Sequence, residues 1–142
     1  MKTRIAILLA TFLLAGCALE LTGPNPAELE FSVDAAHHGE WLEHPEVTAA
    51  GGNGAIRVDA RLSAPDPCQQ LTADAGRSGS TVTLRVRISR VGEACIAAIG
   101  TFEYAAVIGQ LAPGSYQLRV VHEYPGTGWP SGQVLERTVE VR

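Results

Sequence analysis

Six side chains able to ligate a metal or move a proton stand within ten residues: His37, His38, Glu40, Glu43, His44 and Glu46, in the stretch DAAHHGEWLEHPE. If residues 35–44 formed a short helix ahead of Pro45, then His37, Trp41 and His44 would share one face with Glu40 beside it. Two imidazoles and a carboxylate so arranged would suit Zn²⁺. Gly39 in mid-segment costs such a helix about 1 kcal/mol, and the spacing matches no established metal motif. The opposing reading is a solvated loop whose Trp41 packs onto the body of the domain. The sequence favours the loop, and no metal or other cofactor is expected.

A second group lies in HEYPGTGWPSGQ, residues 122–133, where His122, Tyr124 and Trp129 stand among glycines and prolines. Aromatic side chains on an inter-strand loop offer large contact area for little lost entropy, so Tyr124 and Trp129 are the expected binding residues, ahead of the histidines. Arg57, Arg61, Arg85, Arg87 and Arg119 recur at polar positions of strand-like segments. They would form either a guanidinium patch for carboxylates or phosphates, or an ordinary sheet face with local ion pairs. Interspersed Asp59 and Thr83 favour the second. The formal charge of −4 gives no electrostatic case for nucleic acid. Neither a G-x-S-x-G elbow, nor an H-E-x-x-H pair, nor a phosphate-binding glycine loop occurs, and GRSGS reads as a hairpin tip. Lys2 is the sole lysine, which leaves the rest of the chain without Schiff-base chemistry. A catalytic role is not expected.

The elements that must position these residues are strands. From Leu29 onward apolar residues recur with period two: Leu29, Phe31 and Val33, then Ile56, Val58, Ala60 and Leu62, and most clearly Val82, Leu84, Val86 and Ile88 against Thr83, Arg85 and Arg87. With TFEYAAVI, SYQLRVVHEY and VLERTVEVR this makes about seven short strands divided by turn signals, the pattern of an all-β, antiparallel β-sandwich. Within LAPGSYQLRV, Leu111, Pro113, Gly114 and Tyr116, followed by Leu118 and Val120, resemble the lead into the sixth strand of immunoglobulin-like and fibronectin type III domains. That resemblance implies a tyrosine corner, in which a buried phenol satisfies backbone across the turn between sheets. Cys95 precedes TFEYAAVI instead of falling in SYQLRVV, which departs from the antibody-type domain. The Trp129-Pro130 loop also resembles the late inter-strand loop of chagasin-type cysteine-protease inhibitors, although the residue order is reversed and the other two inhibitory loops have no counterpart.

At the start, Lys2 and Arg4 precede an apolar run over residues 5–15, too short to span a bilayer, and Leu14-Ala15-Gly16-Cys17 follows. This segment resembles the lipobox signal of bacterial lipoproteins. The resemblance implies cleavage before Cys17, a diacylglyceryl group on its sulfur and an acyl chain on its new amine, an anchor of effectively permanent hold. Ala18, where an inner-membrane retention signal would show Asp, points to the outer membrane. Cys68 and Cys95 then remain as the two cysteines of an exported chain and are expected to form a disulfide.

The expected organisation is a signal peptide over 1–16, a lipidated N-terminus and proline-containing tether over 17–28, and a sandwich domain over 29–142. Its expected role is that of a non-catalytic binding or structural module of the cell envelope, held to the membrane by lipid, facing the periplasm or cell surface, with an envelope protein as partner. The alternatives are a metal protein or hydrolase built on residues 37–46, and a chagasin-like inhibitor.

Overall fold

The computed structural model describes residues 25–38 and 41–142; Cys17 and the expected signal peptide lie outside them. Nine strands form among these residues: β1 (Asn25–Pro26), β2 (Glu28–His38), β3 (Glu46–Gly51), β4 (Ile56–Ala64), β5 (Gln69–Ser78), β6 (Thr81–Arg90), β7 (Gly100–Gly109), β8 (Gly114–Glu123) and β9 (Gly132–Val141). They build two sheets, β1-β5-β6-β8-β9 and β2-β7-β4-β3. The β-sandwich expected from the periodicity is the fold. One pairing differs from an all-antiparallel pattern: β6 and β8 run parallel, with Val82 opposite Leu118 and Val86 opposite His122.

Alternation fixes which face of each strand turns inward, because successive side chains leave a strand on opposite sides. Val82, Leu84, Val86 and Ile88 of β6, Ile56, Val58 and Leu62 of β4, Ile108 of β7, and Leu118 and Val120 of β8 are all fully enclosed between the sheets. Two strands escaped the sequence pattern. The residues of β1 are too few to show a period, and β3 is largely small residues, EVTAAG, whose contrast between faces is weak.

Four connections cross between the sheets, β1–β2, β4–β5, β6–β7 and β7–β8, and the last two are each tied down by side chains. Residues 110–113 between β7 and β8 carry the tyrosine corner: Tyr116, 5% exposed, donates its hydroxyl proton to the Ala112 carbonyl at 2.9 Å. The Arg77 guanidinium covers the Tyr116 ring, 5.3 Å from its centroid. Residues 91–99 between β6 and β7 are stapled by the Cys68–Cys95 disulfide, with Cα atoms 5.9 Å apart. The β5–β6 hairpin turns at Gly79 (φ 59°) and Ser80, so Gln69 faces Arg90, and Val91 N–H donates to the Cys68 carbonyl at 2.8 Å. A tip centred on Ser78 would instead have set Cys68 opposite residue 88. The observed turn is later by a residue or two, and Cys95 still falls past the end of the ladder. Where the sheets meet at the β3–β9 corner, a Cβ on Gly51 would collide with the Glu140 carbonyl, so the side chain there must be absent.

Topology divides the arginines. Arg57 and Arg61 stand on β4 of one sheet, whereas Arg85, Arg87 and Arg119 stand on β6 and β8 of the other, so no single patch forms. Each has a carboxylate partner: Arg57–Asp59 at 2.6 Å, Arg61–Glu103 at 3.5 Å, Arg85–Asp74 at 3.6 Å, Arg87–Glu123 at 3.0 Å and Arg119–Glu136 at 3.5 Å. Hydrogen bonds from Gln133 and Gln117 hold the Glu136 carboxyl below the usual range, with Arg119 adding to them. These are the local ion pairs of a solvated sheet face.

Candidate functional site

Strands β2 and β3 occupy opposite edges of the four-stranded sheet, so the chain between them must cross the end of the sandwich. Its described part, residues 41–45, brings Trp41 to the same end as the β8–β9 loop. The Leu42 N–H, donating to Ser63 Oγ at 2.9 Å, fastens the crossing to the last turn of β4. Among the described residues no helix forms here: residues 35–38 continue β2, with His37 opposite Thr101 and His38 opposite Gly100. The helical face of His37, Trp41 and His44 therefore does not exist, because pairing with β7 satisfies the backbone that a helix would have used. Glu40 lies outside the described residues, and Glu43, His44 and Glu46 are exposed. Among the described residues the grouping with metal-ligand spacing is Asp66, Cys68 and Cys95, whose sulfurs are bonded to each other.

Trp41 instead meets the expected binding residues. Its ring stands edge-on to Trp129, centroids 5.4 Å apart at 80°, and Trp129 leans on Tyr124 at 5.6 Å. Together with Leu42, Pro45, Pro130 and Val134 they line a cleft of about 440 Å³. The loop below it is a compact turn: Thr127 donates through N–H and Oγ1 to the Tyr124 carbonyl at 3.3 and 2.9 Å, and Trp129 N–H donates to Thr127 Oγ1 at 3.1 Å. Gly126 (φ 73°) and Gly128 (φ 78°) supply the left-handed backbone this turn requires. Tyr124 N–H donates to Ser131 Oγ at 2.8 Å, and its hydroxyl to the Ser63 carbonyl at 3.2 Å. Burial pushes the Tyr124 phenol up to about 12.

His122, expected on the loop, is the penultimate residue of β8 and is enclosed, with 1% of its surface exposed. A signal for this was present, since Tyr116, Leu118, Val120, His122 and Tyr124 keep one phase and all five are buried. His122 is among the residues lining the cleft, its Nε2 lies 2.9 Å from Tyr104 Oη, and among the described residues its Nδ1 has no hydrogen-bond partner. Burial holds the imidazole down to about 4, so it is neutral at neutral pH, and burial with the Tyr124 phenol nearby pushes the Tyr104 phenol up.

The family model of the ORF11 beta-sandwich domain matches residues 58–141, more than half of the chain. The chain belongs to the ORF11 β-sandwich domain family. The match covers β4 from Val58 onward and so includes Ser63, His122, Tyr124 and Trp129 of the cleft; Trp41, Leu42 and Pro45, from the crossing between β2 and β3, precede it. No curated protein and no solved structure matches this ORF11 β-sandwich chain.

Proposed function

We propose that this ORF11 β-sandwich is a non-catalytic binding module of the bacterial cell envelope, held to the membrane by lipid on Cys17 and recognising its partner through the aromatic cleft. The observation that carries the reading is the position of the cleft. The chain joins the sandwich at Asn25, opposite Arg77 and beside the β5–β6 turn, whereas Trp41, Tyr124 and Trp129 lie at the other end. Eight residues from Cys17 to Asn25 reach about 25–30 Å when extended. A ten-residue strand such as β8 adds about 33 Å. An anchored domain thus turns its cleft away from the bilayer, toward whatever else the compartment holds.

Its hydroxyls support a binding role over a catalytic one. Ser63 Oγ and Ser131 Oγ accept backbone N–H groups, and His122, held neutral down to about 4, is a weak base. Trp129 is half-buried against Tyr124, packed inward and not projecting as an inhibitory loop would need.

Two measurements test the proposal. Changing Cys17→Ala in the full chain should abolish incorporation of labelled fatty acid, and labelling that persists would end the lipoprotein reading. A photo-crosslinking amino acid at position 41 should capture envelope protein in cells while one at position 110, at the tether end, should not. Equal capture from both ends would end the assignment of the cleft.

A further inference from the structure

Buried polar atoms are nearly always paired, and leaving one without a partner costs about 1–3 kcal/mol. Among the described residues Nδ1 of His122 is such an atom, and His122 is one of the residues that line the cleft. We propose that the cleft takes an uncharged, mostly apolar ligand group bearing one hydrogen-bond acceptor, and that His122 Nδ1–H is the donor that reads it. This rests on the assignment of the cleft as the recognition surface and names the chemistry it selects.

The tautomer follows from Tyr104. Among the described residues its hydroxyl has one hydrogen-bond partner, His122 Nε2 at 2.9 Å. A phenol has a single proton to donate, and the imidazole lone pair is a better acceptor than a phenol oxygen. Donation from Tyr104 to Nε2 therefore satisfies both atoms and leaves the imidazole proton on Nδ1. In the opposite tautomer the phenol proton would have no acceptor in a buried setting. Tyr104 is a positioning residue: it fixes the ring as a donor toward the cleft.

The surroundings define the rest of the ligand. Trp41, Trp129, Tyr124, Pro45 and Val134 present apolar surface. The Tyr124 hydroxyl is already spent on the Ser63 carbonyl. A neutral donor in an apolar site holds a carbonyl, amide or ester oxygen well, whereas a carboxylate would lose its hydration without meeting a cation. Nδ1 is shielded from solvent, so the ligand reaches it only when a side chain of the cleft wall gives way. Trp41 is the one free to move, 59% exposed and resting edge-on against Trp129, while Trp129 is fixed by its turn.

The test uses the full chain in detergent micelles, isotopically labelled at the histidine and tryptophan ring nitrogens, with N,N-dimethylbenzamide as an acceptor-bearing probe and toluene as its apolar counterpart. Without probe, His122 should show the neutral Nδ1–H tautomer. N,N-dimethylbenzamide should shift that resonance together with the Trp129 indole N–H, and should bind about tenfold more tightly than toluene, the worth of one hydrogen bond. His122→Phe should erase that preference. Tyr104→Phe, which removes only one hydroxyl, should mix the two tautomers and reduce the preference, giving a readout even if His122→Phe fails to fold. An Nε2–H tautomer in the unchanged protein, or equal binding of the two probes, would overturn the proposal. If Trp129 responds to both probes while His122 does not, the donor role fails but the cleft stands as a binding surface. Loss of crosslinking from position 41 would instead remove the assignment of the cleft itself.

Discussion

Acidification should destabilise this sandwich through one residue. In the folded chain burial holds His122 at about 4, against an ordinary value of 6.5. The unfolded chain therefore takes up a proton as pH falls through 6.5, while the native chain refuses it until about 4. More protons on the unfolded state means that stability falls as pH falls. The contribution is complete above 6.5, is lost across the window from 6.5 to 4, and changes no further below it. A shift of this size corresponds to about 3 kcal/mol at 1.36 kcal/mol per unit. In a domain of this length that lowers the melting temperature by about 10 °C. The phenol packed on the ring, Tyr104, and the nearby phenol of Tyr124 are both pushed up and stay neutral throughout, so neither titrates with the histidine. Thermal unfolding followed by circular dichroism at pH 7.5 and pH 4.5 measures the drop. The double variant His122→Phe with Tyr104→Phe isolates the histidine, because replacing both partners of a buried hydrogen bond with apolar groups is nearly neutral. Its melting temperature should change far less between the two conditions. An equal drop in both proteins would refute the reasoning.

Reducing the Cys68–Cys95 bridge, which spans 27 residues, should cost about 3–4 kcal/mol in the chain-entropy account, seen as a lower urea midpoint. The unreduced full chain should take up no alkylating agent at either residue after denaturation. Tyr116→Phe should lose about 1–2 kcal/mol by leaving the Ala112 carbonyl without its donor at the sheet-to-sheet corner, measured by the same unfolding assay. Gly51→Ala should be more damaging than either, because a Cβ there meets backbone and not a yielding side chain; a melting temperature equal to the unchanged protein's would show that the β3–β9 corner is looser than described.

Alternation is a local property, and it was enough to read which segments are strands and which face of each is buried, from Ile56 through Val141. The corner at Tyr116 and the partnership of Cys68 with Cys95 were legible for a related reason: few residue types can do those jobs, and here they occur once. Strand order is another matter. Whether β6 lies beside β8, and in which direction, depends on how two sheets of the whole chain pack; Val82 carries the same alternation whether its neighbour runs parallel or antiparallel. That long-range choice separated Arg57 and Arg61 from the other arginines and gave each its own carboxylate. It also set β2 and β3 at opposite edges, which sends Trp41 across the end of the sandwich to Trp129, a residue 88 positions later in the sequence. The sequence by itself determined strands, faces, a corner and a staple, because steric period and rare chemistry are written residue by residue. Only the tertiary structure decided the cleft and the enclosure of His122, because a cleft lined by residues 41–45, Ser63 and residues 122–134 exists only once the sheets have closed on each other.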